Sequence, residues 1–521
     1  MSKIGALFHN EIIKMRKRIS ILVIAIVMIV AIIGISGFIK LEESLNKEHT
    51  YYSYSNSYQD DMDYFKEYLT QLEADIESAK ERGDTEALLM SCNEKISILT
   101  SISELELRMN YTDTAKTDFR SDLINTIRDY IQKINEYTVM EEILPGTQNK
   151  AEYEAAQQAV TELTEILKNQ DYAGYAEYSK GLINAMPDIT ESDKKLLLEK
   201  WDIVLKLDPT GGLGESSDNG RTEYARNVAN TVEALAKTII YERNFVEDYN
   251  GTNSVTPEQI ETYKDKLAAI RYCIEQDIEI SDTSYSNASI AYTLVSSISN
   301  SLITLLLIII AGGMISTEIS TGSIKSLIIA PVRRWKIFTS KLLALFTAAA
   351  MLTLIKYICI VGTQSLFWPD AISPYVYASA ETAHSINYYL YRLIYCFAEL
   401  MPIFMVAIFA FMLSVTTRNT ALSVGLSMGI YFGGSIMISI LNLFASGEWL
   451  KFIPFNNMNF ADKLFPTLSL NMNYGNAFAG MMYGEVPSLA NTSALFTFLY
   501  MIVLSGIMLY IAFDSFTRRD I

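Results

Sequence analysis

Lys356 and Glu399 each stand inside a long run of apolar residues. An ionisable group in hydrocarbon costs several kcal/mol unless it is paired or hydrated. The two are therefore expected either to form an ion pair or to line a polar cavity; snorkelling of Lys356 toward Trp368 is the alternative. A second group of charges lies in TEISTGSIKSLIIAPVRRWKIFTSK, Thr317 to Lys341. Here Glu318 is followed by Gly322, where a positive φ is permitted. Ser323–Ile329 reads as a short amphipathic helix stopped by Pro331. Arg333, Arg334 and Lys336 would anchor the start of the third span at the head groups, and Lys341 follows. This set of residue types suits docking rather than bond-breaking. Ile324, Leu327 and Ile328 would present an apolar face to a partner.

Catalytic chemistry has little to stand on. No phosphate-binding Gly-Lys-Ser/Thr loop, zinc-type His/Cys cluster or Gly-x-Ser-x-Gly elbow occurs in the chain. His9, His49 and His384 are scattered, without partners at metal or triad spacing, so no metal or catalytic residue is assigned and the chain is read as not an enzyme. Cys92, Cys273, Cys359 and Cys396 lack metal-ligand spacing as well. A Cys92–Cys273 disulfide is compatible with an extracellular location; two unpaired buried thiols is the plainer alternative.

These charges must be positioned by membrane helices. Six runs are long enough to span a bilayer, at roughly 20 mostly apolar residues each. The net charge of −17 hides a division: Lys40–Tyr292 holds 49 acidic against 25 basic residues, and the rest holds 10 against 17. An acidic block is thus inserted in a basic, apolar frame. The boundaries read as a leader at 1–18, a first span at 19–39, the acidic block at 40–291 and a second span at 292–316. A loop at 317–336, a third span at 337–361, an outer loop at 362–391 and a fourth span at 392–415 follow. A turn at 416–420 and a fifth span at 421–444 lead to an outer segment at 445–492, a sixth span at 493–513 and a tail at 514–521. Basic residues in short flanks stay cytoplasmic. With an inside leader, every basic cluster falls inside, including Arg418 and Arg518–Arg519. Both termini are then cytoplasmic and the acidic block is extracellular, in the cell membrane. Lys356 and Glu399 fall at similar depth in the outer leaflet, and Pro402 is placed to kink the fourth span. In the leader, Ile4, Leu7, Phe8, Ile12 and Met15 repeat every three to four residues, which suits a helix in the inner interface.

The expected fold is all-α: six transmembrane helices with a large, helical, coiled-coil-like domain after the first. In the acidic block Phe65, Leu69, Leu72, Ile76 and Ala79 form an a/d seam, as do Leu123, Ile127, Tyr130, Ile134 and Tyr137. Val228, Val232, Leu235 and Ile239 repeat it, and so do Ile260, Tyr263, Leu267, Ile270 and Ile274. Turn signals at RGDT, LPGT, MPDIT and DPTGGLGESSDNG divide the block into about seven to nine helices. YYSYSNSY (Tyr51–Tyr58), Tyr172, Tyr175 and Tyr178 suit either a recognition surface or packing at an interface. The acid excess would attract cations, although solvated helix faces explain it as well.

The pattern Glu318, Gly322, Ser323, Pro331, Arg333, Arg334, Ile337, Lys341 resembles the membrane subunits of ABC-2 type transporters. The leader NEIIKMRKR, with Glu11, Lys14, Arg16, Lys17 and Arg18, and the ending FTRRDI match that family too. The resemblance covers the leader, the spans and the tail, and it does not reach the acidic block. It implies a permease paired with a second permease, identical or a paralogue, and with an ABC ATPase subunit in two copies. ATP and Mg would be bound by that separate ATPase, with no cofactor in this chain. Residues after the second span would be the coupling helix and the leader an elbow helix. The 445–492 segment is similar to the family's re-entrant hairpin, in which Asn456, Asn457, Asn459, Asn471 and Asn473 would satisfy non-helical backbone. The function implied is export or expulsion of an amphiphile such as an antimicrobial peptide, antibiotic or lipid, with no nucleic acid involved. A non-transporting surface scaffold or receptor that binds peptides or secretion partners is the alternative.

Overall fold

A computed structural model describes the chain except residues 1–2, 18, 47–56, 113–117, 214–218, 247–250, 281–286, 323–332, 445–447, 467–491 and 519–521. Its contacts divide into two units, Met1–Lys47 with Ala268–Ile521, and Glu48–Leu267. The inserted unit is narrower than the 40–291 block: the first spanning helix continues to Asn46, and residues from Ala268 onward group with the other unit. The first spanning helix, α2, is Ile19–Asn46, and α11, Asn287–Gly313, begins five residues before the second apolar run.

Six of the described helices are long and apolar enough to cross a membrane. They are α2, α11, α13 (Arg334–Phe367), α14 (Tyr388–Thr417), α15 (Thr420–Phe444) and α17 (Ala494–Arg518), with α1 (Lys3–Arg16) preceding them. A five-residue helix, α12 (Ser316–Ser320), continues α11 after a break. α11 and α14 form the centre, where Leu306, Leu307, Ile310, Ala407, Ala410 and Phe411 are fully enclosed. Phe338 of α13 meets Phe411 and Phe513 edge-on at 5.3 and 5.5 Å. α2, α15 and α17 keep rows of exposed apolar side chains, among them Val30, Ile436 and Val503, as helices facing lipid do.

α13 has 34 residues, so it extends about 51 Å at 1.5 Å per residue. Polar contacts hold the part beyond its apolar stretch. Gln364 Nε2 donates to the Ala288 carbonyl at 3.0 Å. Trp368 Nε1 donates to Glu43 at 2.9 Å, with Lys40 over the indole ring at 5.6 Å. The ends of α2 and α11, between which the chain forms the inserted unit, are thus tied to one helix. α14 is continuous through Pro402.

One departure from the all-helical expectation is a hairpin in 362–391. β1 (Tyr375–Ser379) and β2 (Thr382–Ile386) pair antiparallel with Ser379 opposite Thr382. Ala380 and Glu381 make the turn at φ 51° and 61°. Two consecutive positive φ values are the geometry of a type I′ turn, which normally selects Asn and Gly. Stacking of Tyr375 on Tyr391 at 4.5 Å and a Tyr375 Oη bond to the Pro466 carbonyl hold the hairpin despite unfavourable turn residues.

The inserted unit contains α3 (Ser57–Arg82), α4 (Thr85–Tyr111), α5 (Phe119–Glu141), α6 (Lys150–Asn169), α7 (Tyr172–Asn184), α8 (Glu191–Leu207) and α9 (Asn219–Tyr241); α10 (Pro257–Glu275) crosses its boundary. From α3 to α9 each helix packs on the next in the chain. Three of the breaks fall at or just after turn signals, where acceptors wait: Asp84, Asn149 and Thr190 each cap the following helix through a backbone N–H, and Asp171 caps α7 at a break that no turn signal marks. Leu72, Ile76, Leu123, Ile127, Val228, Val232 and Leu235 from the apolar seams are buried. Tyr172 and Tyr175 offer no recognition surface. They pack inside with Phe119 (4.9 and 6.2 Å) and Trp201 (5.3 Å from Tyr175), while Tyr178 Oη bonds Tyr130 Oη. Tyr51–Asn56 of the other tyrosine cluster lies outside the described residues. Cys92, Cys273, Cys359 and Cys396 are all free, and Cys92 and Cys273 are buried.

Glu233 is the most strongly perturbed acid of the inserted unit. Burial works against its charge, but Lys200 and Lys237 outweigh burial and hold its carboxyl down to about 2. A depressed carboxyl contributes stability above its unfolded value, and that contribution fades as pH falls toward the folded value. Glu233→Gln is expected to destabilise this unit by about 1–3 kcal/mol at pH 7. The difference from the parent chain should shrink steadily between roughly pH 4.5 and 2. Trp201 fluorescence during denaturant unfolding at several pH values measures it.

Candidate functional site

Four charges converge at the end of the bundle that carries α1. α1 packs along α13, which places Glu11 and Lys14 against Lys341, about two turns into the third spanning helix. Glu318 comes from α12. Glu318 Oε1 accepts from Lys341 at 2.8 Å and from Lys14 at 2.9 Å. Glu11 Oε1 accepts from the same two lysines at 3.2 and 2.9 Å. Two acids and two bases thus alternate in a neutral square contributed by three elements. Lys341 is 1% exposed and Lys14 42%, so one lysine is a buried keystone and the other a solvated closure. Burial opposes the charge on Lys14, yet the hydrogen bonds it donates to Glu318 and Glu11 raise its affinity for a proton.

Glu318 is aimed by a break in the chain. α11 ends at Gly313, and the amides of Ile315 and Ser316 donate to Ser414 Oγ of α14 at 3.4 and 3.1 Å. Ser316 Oγ donates to the Gly312 carbonyl at 2.7 Å and contacts Thr420 Oγ1 at 2.7 Å. A side chain from another helix therefore takes up amides that the interruption releases. Gly312 allows α15 to come close: a Cβ there would stand 2.7 Å from Val424 Cγ2. Gly312→Val is expected to cost about 1–3 kcal/mol through overpacking, seen as a lower unfolding midpoint of the full chain in detergent. Gly322 follows α12 with φ 70°, as its type allows.

Of the other residues singled out for this region, Arg333 is the N-cap residue of α13. Arg334 donates through Nη1 to the Thr517 carbonyl at 3.0 Å, tying the third and sixth spanning helices. Arg16 and Lys17 are exposed and outside the square. Ser323, Ile324, Leu327, Ile328, Pro331 and Arg18 lie outside the described residues, so the amphipathic helix read over Ser323–Ile329 is not described.

A second charged site lies deeper. Lys356 Nζ donates to Glu399 Oε2 at 2.7 Å, Asn300 Oδ1 at 2.7 Å and Ser296 Oγ at 2.9 Å. An ammonium has three protons, and each finds an acceptor. Glu399 Oε1 accepts in turn from Ser296 Oγ and Asn300 Nδ2, both at 2.8 Å. Lys356 does not snorkel toward Trp368: it is 1% exposed. Ser296 and Asn300 are not among the residues the sequence analysis names, and their i, i+4 spacing in the second span is the sign that could point to them. In the 445–492 segment, Asn456 Nδ2 donates to the Leu450 carbonyl at 2.9 Å and Asn457 Nδ2 to the Lys451 carbonyl at 2.8 Å. Asn459 precedes α16 (Phe460–Leu464) without a capping bond. Asn471 and Asn473 lie outside the described residues.

Six membrane-length helices, three of them (α11, α13 and α14) joined by an internal ion cluster, define a multi-pass membrane protein. The family model for ABC-2 family transporter proteins matches residues 6–521, and the chain belongs to that family. Such a protein is a membrane transport component, and the family in general works with an ABC ATPase. Two relatives from Bacillus subtilis (strain 168) are similar to it. Uncharacterized protein YhcI is 27% identical over 269 residues, covering 51% of this chain and 78% of that protein. Uncharacterized membrane protein YdbK is 29% identical over 161 residues, covering 31% and 61%. No solved structure matches the chain.

Proposed function

We propose that this chain is the permease subunit of an ATP-driven exporter that moves or expels an amphiphile, such as an antimicrobial peptide, antibiotic or lipid. The square of Glu11, Lys14, Glu318 and Lys341 carries this reading. It joins the leader, the residues after the second span and the third span into one body. Force applied near Glu318 therefore cannot move α12 without also moving α1 and α13. In this reading the leader is the elbow, Glu318–Lys341 frames the coupling segment, and both face the cytoplasm with the two termini. The inserted unit is extracellular. An ABC ATPase in two copies, binding ATP and Mg, closes against the coupling segments of two permeases, identical or paralogous. Closure tilts α11 and α13 and opens or shuts the opposite end around the substrate.

Copurification of the chain with an ABC ATPase, followed by ATPase assay of the complex, tests this. An attached ATPase whose activity falls at least about tenfold with Glu318→Gln, the effect of losing one charged, buried interaction, supports it. An isolated chain with no ATPase attached, or a complex indifferent to Glu318, would replace this reading with the scaffold or receptor.

A further inference from the structure

Arg392 is a cation to which no described residue offers an acidic partner. It is the fifth residue of α14, and its guanidinium carbon lies 3.8 Å from the centre of the Tyr292 ring, 5.2 Å from Tyr391 and 5.3 Å from Tyr388. Its Nε is buried without a hydrogen-bond partner, and so are Tyr292 Oη and Tyr388 Oη. The neighbouring charges are committed elsewhere: Glu399 is bound to Lys356, Ser296 and Asn300, and Asp462 accepts from Tyr395 Oη. Contact with aromatic faces is worth about 0.5–2 kcal/mol to a cation. That does not replace hydrogen bonds, since each buried donor left unmade costs about 1–3 kcal/mol.

The position adds to the imbalance. The first turns of a helix carry positive partial charge, which disfavours a cation and favours an anion. α14 has 30 residues, or about 45 Å, against a hydrocarbon core of about 30 Å. About five residues at each end therefore reach the head-group layer, and Arg392 is at that depth. One N–H and two O–H groups around a positive charge at a helix N-terminus call for a negative group that only accepts. A planar guanidinium fork matches phosphate oxygens.

We propose that Arg392, with the hydroxyls of Tyr292 and Tyr388, forms a phosphate-binding site at the end of the bundle opposite α1. The ligand is a phosphate oxyanion, carried by a lipid head group or free in solution. The site does not depend on an ATPase partner or on the direction of transport, so it stands or falls apart from the proposed function.

The test is binding to the full chain in neutral detergent, read by native mass spectrometry. The probes are phosphatidylglycerol, a galactosyl diacylglycerol without phosphate, and inorganic phosphate as competitor. Phosphatidylglycerol should bind at least tenfold more tightly than the galactolipid. Arg392→Gln should weaken it by about tenfold to a hundredfold, the range for a charge-assisted bond. Tyr292→Phe with Tyr388→Phe keeps the rings and the charge, and should weaken it by about threefold to tenfold. Displacement by inorganic phosphate marks a site open to the free ion, and failure to displace marks a head-group site; either supports the proposal. Equal binding of the two lipids overturns it, as does binding unchanged by Arg392→Gln. Should Arg392→Gln not fold, the double Tyr→Phe variant decides, and its binding the lipid like the parent chain overturns the proposal.

Discussion

Lys341→Met is expected to release α1 from the bundle and to cost about 3–5 kcal/mol, the range for breaking a buried ion pair from one side. Lys341 is the enclosed member of the square and accounts for two of its four contacts, at 2.8 and 3.2 Å. Without it, Glu11 and Glu318 face each other with only the solvated Lys14 between them. Amide exchange in α1 should accelerate by roughly two to four orders of magnitude, since each factor of ten corresponds to about 1.4 kcal/mol. Adding Glu318→Gln leaves Glu11 and Lys14 as a neutral pair at 2.9 Å. The double variant should recover roughly half the loss, because residues sharing a network do not add. Exchange measurements on the single and double variants check both statements.

Glu399→Leu should cost about as much, roughly 3–5 kcal/mol, because it leaves Lys356 charged in a space that excludes water. Asn300 and Ser296 would still accept two of the three ammonium protons, but neither supplies negative charge. Glu399→Gln retains the shape and should cost less. Lys356→Met with Glu399→Leu removes both charges, and apolar replacement of a whole buried pair is often close to neutral. The double variant should therefore approach parental stability. If it instead fails in transport, the pair serves the moving bundle and not its resting stability. Thermal unfolding of the three variants in detergent, beside a transport assay, separates these roles.

The spans were readable because lipid demands long apolar runs, and the Lys356–Glu399 contact because lipid forbids a lone charge. Glu318 and Lys341 stood out through a family pattern. Their union with Glu11 and Lys14 was not readable, since it depends on α1 lying along a helix some 330 residues away. The hairpin is not legible in the sequence because Ala380 and Glu381 carry no turn signal, and packing of Tyr375 holds the hairpin. Helices also continue past the apolar stretch where Gln364 and Trp368 find partners, which hydropathy alone does not record. Arg392 appeared in the sequence only as the edge of the fourth apolar run, and its surroundings emerge when Tyr292 is brought over it.

In the proposed function, the residues following the second span receive force from an ATPase on the face that carries α1. A photo-crosslinking amino acid at exposed Ser320, two residues beyond Glu318, tests it most directly in cells. An adduct with an ABC ATPase, its yield changing when ATP hydrolysis is blocked, is the expected result. An adduct only with extracellular proteins, or none with any nucleotide-binding chain, would contradict it.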